Sequence, residues 1–120
     1  MKIFCTIIIL TFLSVVNFQN EKARGNYKFE VAKMSRYYNA KIQFKDSIFI
    51  LTFSNGIKST GKINYYRTLT SLDIDVNTII DFKTSEIKND TLEFSVHDKR
   101  SLNANYLDTS IDVGYLIRVK

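Results

Sequence analysis

The sequence predicts an all-β protein, an antiparallel up-and-down barrel or highly curved sandwich of about eight short strands. Three observations carry this. Apolar and polar residues alternate with period two through most of the chain beyond residue 26. Turn signals such as Asp46-Ser47 and Ser54-Asn55-Gly56 separate the alternating runs. No proline, repeat, low-complexity tract or linker interrupts the pattern over 120 residues. Short strands at this spacing pair antiparallel and close on themselves or stack as two layers.

The first element is not part of that pattern. Met1-Lys2 leads into IFCTIIILTFLSVV, a run of 14 residues without charge, and the polar stretch NFQNEKARG follows. One cation, an apolar core and a polar flank predict a secretory signal peptide over residues 1–20, with no small-x-small pair to mark its cleavage point. The run falls short of the ~20 residues that span a bilayer. Cys5 lies inside it, too near the N-terminus to carry a lipid after cleavage, so no stable membrane anchor is expected. Residues 21–120 then form a single barrel domain. They contain no cysteine, so neither a disulfide nor a thiol is available. An exported, cysteine-free domain of this size points to a bacterial periplasmic or extracellular protein, since small eukaryotic secreted domains usually carry disulfides.

Strand by strand, Tyr27, Phe29 and Val31 alternate with Lys28 and Glu30, and Tyr38, Ala40, Ile42 and Phe44 alternate with Asn39, Lys41 and Gln43. Leu72, Ile74 and Val76 alternate with Asp73 and Asp75; Ile80 and Phe82 mark a shorter strand. Leu92, Phe94 and Val96 alternate with Glu93 and Ser95, and Val113, Tyr115, Ile117 and Val119 close the chain. Residues 99–111 (KRSLNANYLDTSI) read as a long loop or a single helical turn.

The stretch SIFILTFSNGIKSTGKINYY (47–66) permits a register. A two-residue turn at Asp46-Ser47 sets Phe44 opposite Phe49, Ile42 opposite Leu51 and Ala40 opposite Phe53. A three-residue loop with Gly56 in the left-handed conformation then pairs Phe53 with Ile57, Leu51 with Ser59 and Phe49 with Gly61. A two-residue Asn55-Gly56 loop would put Lys58, Thr60 and Lys62 on the core face, so the apolar pattern selects the longer loop. Gly61 leaves room for the Phe49 ring and lets its strand bend.

The opposite face follows from the same register. It sets Ile48 between Lys45 and Lys62, Ile50 between Gln43 and Thr60, and Thr52 between Lys41 and Lys58. Lys41, Lys45, Ile48, Ile50, Lys58 and Lys62 thus make a candidate face for an anionic partner, although lysine stems laid over isoleucines are also ordinary on an exposed sheet. Asp73 or Asp75 is expected beside Lys62, neutralising part of the patch. The net charge is +5 overall; residues 21–67 hold ten Lys/Arg against three acids, and residues 68–120 six against nine. The split fits either an anionic partner or mutual neutralisation across one sheet.

Chemistry finds little footing. His97 is the only histidine; along a strand it shares a face with Ser95 while Asp98 points away, so a hydrolytic triad lacks its orienting carboxylate. A solvent-facing histidine at a strand end is expected. No catalytic residue, metal site or cofactor is predicted: cysteine is absent from residues 21–120, and the glycines at 25, 56, 61 and 114 form no phosphate loop. The modest excess charge and the expected export argue against nucleic acid as a partner.

Gly25-Asn26-Tyr27 at the head of the first strand and Arg118 in the final Val-Gly-Tyr-Leu-Ile-Arg-Val resemble the lipocalin-like (calycin) pattern. In that family a Gly-x-Trp motif opens the first strand and a late arginine packs over the aromatic ring. The resemblance implies that Tyr27 stands in for the tryptophan and Arg118 for the arginine. The short chain implies a compressed barrel in which Phe44, Phe49, Phe53 and Phe94 fill the interior. Two functions follow as expectations. One is an exported binding module that holds a small apolar or amphipathic ligand in the barrel, with Tyr38 and Tyr65 at the pocket mouth. The other is a protein-interaction module, an inhibitor or immunity-type protein, acting through the lysine-flanked face on an anionic protein. A monomer without enzymatic activity is expected in either case.

Overall fold

The computed structural model describes residues 21–99 and 110–120. The predicted signal peptide and most of the predicted loop at 99–111 lie outside them. Eight antiparallel strands follow one another around a closed barrel: β1 (Ala23–Glu30), β2 (Lys41–Asp46), β3 (Ile48–Thr52), β4 (Lys58–Tyr65), β5 (Leu69–Asp73), β6 (Thr78–Lys83), β7 (Thr91–Asp98) and β8 (Ser110–Arg118). β1 pairs with β8 and closes the ring, so no strand is left with an unpaired edge.

The central hairpins have the register that the apolar pattern selects. Phe44 faces Phe49 and Ile42 faces Leu51 across β2–β3; Phe49 faces Gly61 and Leu51 faces Ser59 across β3–β4. Asp46 takes a φ of 59° in the tight turn after β2. In the next turn Gly56 has a φ of 87°. The Phe53 N–H donates to the Ile57 carbonyl at 2.9 Å, and the Asn55 side chain accepts from the Ile57 N–H at 3.0 Å.

The interior is filled by rings. Tyr27 meets Phe44 edge-on at 5.3 Å between centroids, Phe44 lies 5.8 Å from Phe82, and Phe29 lies 5.2 Å from both Phe94 and Tyr37. Ile42, Leu51, Leu72, Ile80, Leu92 and Leu116 fill the space between them and are almost completely buried. Burying each such side chain is worth about 1.5–3 kcal/mol relative to exposure, and the edge-on ring pairs add to it.

Two segments depart from the alternation. Val76 lies outside β5 and is exposed, because the Asp75 carboxylate accepts the Asn77 N–H at 2.8 Å and turns the chain there. β5 instead begins at Leu69, with Thr70 and Leu72 fully buried. Tyr38 is not in a strand either: Asn39 adopts a left-handed φ of 59°, so regular pairing of β2 begins at Lys41.

Candidate functional site

Chain direction sorts the connections to two ends. The terminal end holds the start of β1, the finish of β8 and the β2–β3, β4–β5 and β6–β7 connections. The distal end holds the β1–β2, β3–β4 and β5–β6 connections.

At the terminal end the Arg118 guanidinium stands over the Tyr27 ring, 4.9 Å from its centroid, and its Nε donates to the Asp90 carboxylate at 3.0 Å. Gly25 has a φ of 108°, and a Cβ there would come within 2.7 Å of Arg118 Nη1. The tight packing of Arg118 therefore depends on a residue without a side chain. Burial, only partly offset by Arg118, pushes the Tyr27 phenol above its ordinary pKa. Tyr65 is bound into the same end: its hydroxyl accepts the Ala23 N–H at 2.8 Å and donates to the Asp46 carbonyl.

Tyr65 and Tyr38 are thus not brought together. Tyr65 closes the terminal end, whereas Tyr38 sits in the β1–β2 connection at the distal end, 37% exposed. Its neighbour Tyr37 enters the barrel instead. That ring stacks on Phe29 and lies 6.0 Å from Phe53, and the residue is 3% exposed. Counting alternation through Tyr38 missed it; the adjacent pair Tyr37-Tyr38, followed by an asparagine able to turn left-handed, was the available signal.

The segment carrying Tyr37 is clasped across the distal end. Ser35 Oγ donates to the Asp112 carboxylate of β8. Arg36 reaches Asp75 at 3.7 Å while its guanidinium lies 4.8 Å above the Phe53 ring. Hydrogen bonds from the Asn77 N–H and from Thr78, with Arg36 nearby, hold the Asp75 carboxyl below its ordinary pKa. Beneath this clasp lies a cleft of about 400 Å³ lined by Met34, Ser35, Tyr37, Thr78, Val96 and Asp112, among others. The Tyr37 hydroxyl is buried and has no hydrogen-bond partner among the described residues. Burial also pushes its pKa up, so the phenol stays protonated near pH 7 and able to donate a hydrogen bond to an acceptor.

The lysine-flanked face has the expected register: Lys45–Ile48–Lys62, Gln43–Ile50–Thr60 and Lys41–Thr52–Lys58 run across β2, β3 and β4. Ile48 is 40% exposed. Asp73 does not neutralise Lys62; it pairs with Lys99 at 3.1 Å and accepts from Asn64 at 3.1 Å. Asp75 is engaged by Arg36. Among the described residues, none of Lys41, Lys45, Lys58 and Lys62 makes an ion pair within 4 Å.

His97 is buried, not solvent-facing. Its Nε2 lies 3.6 Å from the Asp81 carboxylate, which accepts a 2.6 Å hydrogen bond from Ser71 Oγ. β6 sets Asp81 diagonally across from His97, a long-range neighbour that no local pattern announces. The order serine–aspartate–histidine makes the carboxylate the serine's acceptor, the reverse of nucleophile activation by imidazole. Among the described residues no group of three or more His, Cys, Asp or Glu is arranged to hold a metal.

Comparison with family models, with curated proteins and with solved structures finds no match for this chain.

Proposed function

We propose that this protein is an exported, lipocalin-like binding barrel that takes a small amphipathic molecule at its distal end. One observation carries the reading: the Tyr37 hydroxyl is buried without a partner among the described residues, in a residue that walls a cleft of about 400 Å³. A buried hydroxyl left unsatisfied costs about 1–3 kcal/mol, and a bound acceptor would recover much of it. The volume lies within the ~300–1,000 Å³ of small-molecule pockets. Met34, Val96 and the Tyr37 ring suit the apolar part of such a molecule, and Ser35, Thr78 and Asp112 its polar part. The stacked rings of the interior leave the cleft, rather than the barrel axis, as the better seat. The Arg118–Tyr27 packing against Gly25 supports the lipocalin-like resemblance at the other end.

Native mass spectrometry of protein purified from its own host tests the reading. The expected result is a retained small molecule whose occupancy falls several-fold in Tyr37→Phe and is unchanged in Tyr38→Phe. Tyr37→Phe should also stabilise the empty protein by about 1 kcal/mol in urea unfolding, because it removes an unsatisfied buried group. Absence of any retained mass, or equal effects of the two substitutions, overturns it.

A second reading, a protein-interaction module, rests on the four lysines around Ile48 and Ile50, which make no ion pair among the described residues. Lys45→Glu with Lys62→Glu should abolish capture of an acidic partner and leave small-molecule retention intact.

A further inference from the structure

We infer that the lysine-flanked face is an interface whose occupant is a second copy of this chain, bound through a different face of the barrel. The inference rests on the second reading above and names its partner.

That second face is formed by β7, β8 and β1, the last of which borders β2. Across it Glu93 faces Tyr115, and Tyr115 faces Glu30. Glu30, Tyr115 and Glu93 therefore make a cross-strand row with an aromatic residue between two carboxylates. On β2, β3 and β4 the row Lys45–Ile48–Lys62 has an apolar residue between two ammonium groups. Because both rows step across three adjacent strands, their charges have the same spacing, roughly 10 Å at ~4.8 Å per strand. One row of each kind can lie against the other with both carboxylates facing lysines and Ile48 against Tyr115.

The match extends one position along the central strands. Two residues from Ile48 comes Ile50, and two residues from Tyr115 comes Val113. Tyr115 and Val113 are 51% and 59% exposed and form an outward aromatic–aliphatic pair on β8. A groove of about 380 Å³ runs beside them, lined by Glu30, Val31, Glu93 and Tyr115. It provides a concave seat for the lysine-flanked isoleucines. Among the described residues Glu93 has no cation within 4 Å, while Glu30 is bridged at 3.4 Å by Lys28 on its own strand. That bridge lies on the surface, where it costs little to exchange.

The two surfaces differ and lie on different sides of the barrel, so the contact is heterologous: each added copy leaves one basic and one acidic face free. Association then proceeds to a ring or a filament, rising with concentration and sensitive to salt, in place of the monomer expected from sequence. The apolar pairs Ile48–Tyr115 and Ile50–Val113 supply desolvated area at its centre, and the two charge pairings set partner and register.

Sedimentation velocity of the purified protein with two charge-reversed forms tests this. At about 0.15 M ionic strength the wild-type coefficient should rise with concentration and return to the monomer value at about 1 M, where screening acts within ~3 Å. Lys45→Glu/Lys62→Glu has two acidic faces and Glu30→Lys/Glu93→Lys two basic ones, so each alone should remain monomeric. Mixed one to one they should associate again. A wild type monomeric at all concentrations overturns the inference, as does a mixture that fails to associate or variants that each self-associate normally. A monomeric wild type whose Lys45 and Lys62 still capture a foreign acidic protein removes the second copy and leaves the interface reading in place. A monomer without such capture removes both.

Discussion

Gly25 and Gly56 both have backbone angles that L side chains rarely adopt, yet they meet different surroundings. A Cβ on Gly56 would find nothing within 4 Å, whereas one on Gly25 would press on Arg118 Nη1. Gly56→Ala is therefore expected to cost only the left-handed backbone term, about 1–2 kcal/mol. Gly25→Ala adds displacement of the guanidinium from the Tyr27 ring, worth about 0.5–1 kcal/mol for an exposed cation–π contact. Urea midpoints would give the two costs, and the near-ultraviolet circular dichroism of tyrosine would separate them, changing for Gly25→Ala alone. Equal costs with an unchanged aromatic signal in both would show that Arg118 has no part in holding Tyr27. The same comparison explains what sequence could reveal at this scale. Gly25, Tyr27 and Arg118 were identifiable from a short pattern at the two ends of the chain. Tyr37 was not, because its inward direction depends on the left-handed turn at Asn39.

Elements were legible where turn chemistry and a single apolar face agreed. In β2, β3 and β4 the tight turn at Asp46, the glycine turn at 56 and the Phe44–Phe49–Gly61 row admit one register only. In β5 the alternation of Leu72, Ile74 and Val76 runs past the strand's true end, because an aspartate-initiated turn competes with continued pairing. Ser71 and Asp81 are buried on the side that alternation assigns to solvent, so period two alone misjudged that face too. The β3–β4 hairpin offers a direct check on packing. A Cβ on Gly61 would lie 2.6 Å from Phe49 Cζ, in a ring that is fully buried, and would meet the backbone carbonyl of Asp73. Gly61→Ala should destabilise the protein by about 1–3 kcal/mol, although its backbone angles suit alanine. Phe49→Leu in the same background should recover part of that loss, giving a non-additive pair. A neutral Gly61→Ala would mean that β4 and β5 can separate without penalty.

At the scale of the molecule, three tyrosines secure the two ends of one barrel. Tyr27 and Tyr65 belong to the terminal end and Tyr37 to the distal end, and burial is the leading cause that raises the pKa of each. Arg118, the Ala23 N–H and Arg36 respectively oppose the rise without cancelling it. A phenol whose folded pKa exceeds the ordinary value of about 10 stays protonated in the fold while the unfolded chain ionises. Its contribution to stability is thus fully present below about pH 10 and is lost as pH rises through the folded pKa. Since the three groups span both ends and belong to or pack against one core, ionisation should proceed with unfolding of the whole barrel rather than fraying of one end. Urea midpoints should be level between about pH 7 and 9 and fall steeply above about pH 10. Tyr37→Phe should make that fall shallower, because one of the three linked protons is removed. Tyrosinate absorbance should rise together with loss of the far-ultraviolet strand signal. If phenolate appears at an ordinary pKa in a barrel that stays folded, the rings are not shielded from water and the closed, self-filled interior is disproved.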